Sequence, residues 1–277
     1  MLTLSNFTKT LLLATFFLLL TGCNDNSKTD TGTIVSPTSL TITTSKTTLN
    51  KDENTTVKVM ARYKGGATKE VTDKVEWIVT PKDAVIVTEK ILIAKKDNST
   101  TLNAKLGTTL SNTVNLSIAW IINGHTLPPE PDKTVNDSTL LGVDVNGNGV
   151  RDDVERWIYE KYKDKHPIHI DIAMQAGRAY KKVLETPERA KEIHDEVSAP
   201  MSCEAYYQIY AKYFNEPLLV KEDIDTEYFR NKIYFNTKER MDAYDKYDTL
   251  LSGDTYTLPR LKKKKALCDF NTSKYEK

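Results

Sequence analysis

The chain has 277 residues and carries 39 Lys and Arg against 38 Asp and Glu, a formal net charge of +1. That balance argues against a general nucleic-acid binder, which needs an excess of cations to displace counterions. Hydrophobic residues at 39% suffice for ordinary cores but not for a polytopic membrane protein, and the length sets a prior of about two domains.

Residues 1–22 read as an export signal. Lys9 gives a basic start, and Leu11–Leu20 form an apolar run that spans about 15 Å as a helix, half of the hydrocarbon core, so it fits a cleavable signal better than a membrane span. The run ends in Leu20-Thr21-Gly22-Cys23, which resembles the lipobox of bacterial lipoproteins. The resemblance implies cleavage before Cys23, acylation of that cysteine, and attachment to a lipid bilayer of the bacterial cell envelope through its acyl chains. Asn24, in place of Asp, points to the outer membrane if the host is Gram-negative. Residues 23–36 are polar and read as a flexible tether. With Cys23 acylated, Cys203 and Cys268 remain as an even pair in an oxidising compartment. A disulfide is expected, the alternative being two separate buried thiols.

Residues 37–122 follow period two. Leu40–Thr43, Val57–Tyr63, Val75–Val79, Val85–Val87, Ile91–Ile93, Leu102–Leu106 and Val114–Ile118 alternate apolar with other residues, and turn formers such as Gly65-Gly66 and Asp97-Asn98 separate them. Seven short strands at this spacing predict an antiparallel β-sandwich, with Trp77 on a central strand filling the space between sheets. Ser36–Leu40, Tyr63–Asp73 and Val75-Glu76-Trp77 resemble the group 2 bacterial Ig-like domains of invasin- and intimin-type surface proteins. The resemblance implies a spacer or adhesive module without an active site. Residues 123–139 hold Pro128, Pro129 and Pro131 and read as a linker, semi-rigid at first and then flexible.

Residues 144–155 carry the strongest chemical motif. Asp144, Asn146 and Asn148 occupy positions one, three and five of a twelve-residue loop, with Val150 at seven, Asp152 at nine and Glu155 at twelve. These are the oxygen-donor positions of a calcium loop, Val150 through its carbonyl, and Gly149 at six permits the sharp turn. The loop resembles those of EF-hands, and more closely those of dockerins and thrombospondin type 3 repeats. No amphipathic helix precedes it, and Arg151 stands at position eight, so a single structural calcium ion in an unpaired loop is expected. It would lock the linker to the following helix.

From Asp152 the period lengthens to about 3.6 and predicts five or six short helices, so residues 140–277 read as the calcium loop and a small all-α domain. Asn236-x-x-Glu239 is the expected cap of the last helix. Thirteen of the 14 tyrosines follow residue 139; Tyr206, Tyr207, Tyr210 and Tyr213 form a stripe that either packs between helices or presents a binding surface. Lys262–Lys265 is a positive run open to a solvated role or to contact with anionic lipid or polysaccharide. His166, His169 and His194 are the candidates for catalysis, but no nucleophile or metal motif accompanies them. The fold class expected is multidomain β + α, an Ig-like sandwich followed by a calcium loop and helices. The expected function is a non-catalytic envelope or adhesion module whose partner is an envelope polymer or protein and not a nucleic acid. The alternative is an envelope hydrolase with its site in the helical half.

Overall fold

The computed structural model describes residues 36–222 and 225–275. The export signal, Cys23 and all of the tether but Ser36 lie outside the described residues. Ser36–Lys277 makes up one compact unit, with a β-sheet region first and a helical region after it.

Alternation builds the sheets. In β3 (Asn54–Arg62), Val57, Val59 and Ala61 point inward while Lys58 and Arg62 face out. β8 (Ser99–Leu106) does the same with Leu102 and Ala104. One sheet runs β1 (Ser39–Thr44), β3, β7 (Ile91–Ala94), β6 (Val85–Thr88), with β4 (Thr68–Glu70) on β3. The other runs β2 (Thr48–Asn50), β10 (Val114–Ala119), β8, β5 (Glu76–Thr80), with β9 (Thr109–Leu110) on β8. Their inner faces share one core that includes Leu40, Leu49, Val59, Leu92, Leu102 and Leu116. Two expectations are corrected. The β2–β10 pair is parallel, and Trp77 lies on β5, an edge strand, where its ring is only half-buried.

Residues 123–139 are more ordered than a linker. Asn123 and Gly124, both at positive φ, close a hairpin between β11 (Ile121–Ile122) and β12 (His125–Thr126). Leu127 is buried, and Asp132 caps a short helix, α1 (Lys133–Asp137), by accepting from the Val135 amide.

The helical region has its own core. α2 (Asp152–Tyr162) buries Val154, Ile158 and Tyr162 on one stripe. α3 (Ile168–Glu185) runs through the middle and packs on α4 (Ala190–Ala205). Pro187 opens the 3₁₀ turn that leads into α4, in the position where its missing N–H costs nothing. α4 passes into a π-turn at Tyr206–Tyr210. A second π-turn, Phe229–Tyr234, follows α5 (Thr226–Tyr228). α6 (Lys238–Leu251) is capped by the Thr237 hydroxyl, which accepts from the Arg240 amide, rather than by Asn236. α7 (Leu261–Lys264) leads to Cys268, which is disulfide-bonded to Cys203 on α4. Among the described residues no helix is long and apolar enough to cross a membrane.

Candidate metal centre

The stretch of residues 144–155 runs from the segment after α1 into the first turn of α2, and its turns are made by its own side chains. Asp144 accepts from the amides of Asn148 (3.2 Å) and Gly149 (3.0 Å). Asn146 accepts from Asn148 (3.1 Å) and Asn148 from Val150 (2.8 Å). Gly147 and Gly149 take φ of +67° and +85°, a region where a Cβ crowds the following carbonyl. Val150 is fully buried against α3. Gly177 is what admits it, since a Cβ there would lie 2.9 Å from a Val150 methyl.

Glu155 turns back into the loop. Its Oε2 accepts from the side-chain amides of Asn146 (3.0 Å) and Asn148 (2.6 Å). Its Oε1 lies 2.7 Å from His125 Nε2, on the hairpin. Asp152 accepts from the Val145 amide with both oxygens, at 3.2 Å each. Glu155 and Asp152 are both fully buried. Burial pushes the Asp152 carboxyl up to about 6, and the nearby charges of Asp144 and Glu155 push the same way. Against these three carboxylates stand Lys181, 3.8 Å from Asp144, and His125; Arg151 is matched by Asp153. Buried carboxylates short of counter-charge are costly, and a divalent cation would relieve that cost.

The donor set fits a hard cation in kind, since six to eight oxygens at flexible geometry suit calcium. Among the described residues no three His, Cys, Asp or Glu side chains form a ready-made metal cage. The amide oxygens of Asn146 and Asn148 and the Val150 carbonyl must therefore carry much of the load. A half-turn of either Asn side chain exchanges Nδ2 for Oδ1 in front of Glu155, at the expense of the amide contacts that the oxygens now make.

Arg151, at position eight of the loop, is directed into the helical region. The Arg151 side chain is buried, and its guanidinium donates to the carbonyls of Tyr234 (3.1 Å) and Ile233 (3.1 Å). It fastens the loop to the second π-turn.

A joint that sequence reasoning missed lies one residue after Glu155. Arg156 is buried, forms two hydrogen bonds to Asp97 of the sheet region (2.5 and 2.9 Å), donates to the Pro128 carbonyl (2.8 Å) and stacks on Trp120 (4.6 Å). The partners are 59 residues apart in sequence, and no local pattern signals the pairing. His125 was missed too, although Asn123-Gly124 is a hairpin signal in its own right.

The tyrosine stripe does not form one surface. Tyr206 and Tyr207 are buried, Tyr210 is half-buried and Tyr213 is exposed. The reason is the π-turn: the Ala211 amide bonds to the Tyr206 carbonyl five residues back, so the 3.6-residue spacing that aligned them fails. His194 has its ring against Tyr256 (3.9 Å) and its Nδ1 near the Tyr247 hydroxyl (3.3 Å). His166 and His169 do share a groove of about 490 Å³ with Asp164, Lys165, Lys221 and Glu222. No family model matches the chain, and no curated protein matches its sequence.

Proposed function

We propose that the chain is a lipid-anchored, extracytoplasmic binding module in which an Ig-like sandwich and a helical domain are held together by a calcium-loaded loop. The observation that carries this reading is Glu155, buried and turned onto Asn146 and Asn148 while its other oxygen meets His125 of the hairpin. A cation in that loop would bind the start of α2 and, through Glu155, the hairpin at the end of the sheet region. Anchorage through Cys23 and residence in the cell envelope rest on the lipobox resemblance, and the spacer or adhesive role rests on the Ig-like resemblance. The disulfide suits an oxidising compartment.

Calcium at millimolar concentration should raise the melting midpoint of the chelator-treated protein. With a dissociation constant on the order of 10⁻⁴ M, a hundredfold excess of ion contributes about 2.7 kcal/mol. Asp144→Ala with Glu155→Ala should abolish the rise. An unchanged midpoint in the parent protein at ten-millimolar-scale calcium, about 100 times that constant, would refute the metal.

The envelope-hydrolase reading retains one observation, the groove that joins His166 and His169 to Asp164 and Glu222. Glu222 is already paired with Lys165 at 2.5 Å, and among the described residues neither Ser nor Cys lines the groove. Turnover of cell-wall polymer that disappears in His166→Ala would promote this reading over the binding module.

A further inference from the structure

We propose that the segment from Leu258 to Lys263 is a second membrane contact that docks on anionic phospholipid. It stands independently of the calcium loop and of Cys23. From Thr255 to Lys265 the chain holds no acid. Leu258 is 80% exposed and Leu261 40% exposed, and Arg260, Lys262 and Lys263 are exposed beside them without an ion-pair partner among the described residues. An apolar side chain this open, within a run of cations, matches an interfacial segment: leucines enter the acyl boundary while cations meet the headgroups.

The segment is held out from both ends. On the near side, the Tyr256 ring packs on His194 of α4, and Asp254 pairs with Lys191 at 2.6 Å. On the far side, Lys264 is buried with its ammonium over the Tyr210 ring (5.6 Å), Lys265 pairs with Glu216 at 2.8 Å, and the Cys203–Cys268 disulfide follows. Two cations of the run are thus spent on structure, and three face outward. A soluble polyanion would need those three alone and has no use for Leu258 or Leu261. The exposed leucines are what select a bilayer.

The test uses residues 36–277, which hold both cores and lack the acylation site, with chelator present throughout so that the calcium reading is not involved. Flotation with phosphatidylcholine vesicles containing about one-third phosphatidylglycerol should recover the protein, and pure phosphatidylcholine should not. Each cation neutralised should lower partitioning about fivefold, so Arg260→Gln, Lys262→Gln and Lys263→Gln together should lower it about a hundredfold. Leu258→Ser with Leu261→Ser should weaken binding several-fold at unchanged charge. Melting midpoints close to the parent's would show that these surface variants fold. The proposal is overturned if the anionic vesicles recover no protein, or if the leucine variant floats as well as the parent, which would leave a polyanion surface.

Discussion

His166 lies two residues before the long helix α3 and His169 in its first turn, and the two meet different surroundings. His169 is buried, with Nδ1 2.9 Å from the His166 carbonyl, while the half-buried His166 accepts from the Ile168 amide at 3.3 Å. Burial first, then the neighbouring charges of His169 and Lys221, hold His166 below its ordinary 6.5. Among the described residues Lys165, Asp164 and Glu222 are the other titratable groups of that groove. The sign follows from where the proton binds. The unfolded chain takes it up more readily, so the stability that neutral His166 contributes is present above 6.5 and is lost as pH falls from there towards its folded value. His166→Gln should therefore flatten the acid-side slope of stability between about pH 5 and 7, read as urea midpoints across that range. Asp152, raised to about 6, contributes with the opposite sign in the same window, so the comparison is between variant and parent, and a His166→Gln slope equal to the parent's would contradict the assignment.

Between elements, Arg240 of α6 ties the end of α1 and the residues after it to the helical core. Its side chain is fully buried and all five N–H groups are used: Nε on the Leu140 carbonyl (2.9 Å), one terminal nitrogen on Asp137 and Asn236, the other on the carbonyls of Asn136 and Thr139. Arg240→Met should cost about 3–5 kcal/mol, since it leaves buried acceptors unmatched, and chemical denaturation measures it. Arg240→Lys should restore little of the loss, because an ammonium cannot span these acceptors. None of this was legible in the sequence, where Arg240 is one more charge on a polar helix. What was legible was local. The period-two runs gave the strands of Val57, Leu102 and Leu116, and the spacing from Asp144 to Glu155 singled out the loop, because those signals recur within a few residues. Strands β2, β4 and β9 are two or three residues long, too short for a period to register. The π-turn broke the tyrosine stripe through a change of backbone hydrogen bonding that side-chain spacing does not encode. His125 and Asp97 lie 30 and 59 residues from their partners, beyond the reach of any local pattern.

At the scale of the whole molecule, two hydrophobic cores are formed from separate stretches of chain, and polar contacts tie one to the other. Arg156 to Asp97 is the most buried of these, with side chains 8% and 6% exposed. His125 to Glu155 and the Asn123 side-chain amide on the Lys163 carbonyl (2.9 Å) join the one hairpin to the first turn and to the C-cap of α2. Each core is closed without the other, so weakening the joint should separate their unfolding rather than unfold both at once. Asp97→Ala leaves the Arg156 guanidinium buried against Trp120 with only the exposed Glu130 carboxylate at 3.8 Å, a loss of up to about 3 kcal/mol. Calorimetry should then resolve two heat-absorption peaks where the parent shows one. Arg156→Met in the Asp97→Ala background should recover part of the loss, because an apolar side chain at that position no longer strands a charge. A single transition at the parent's midpoint in Asp97→Ala would mean that the two cores are held together elsewhere.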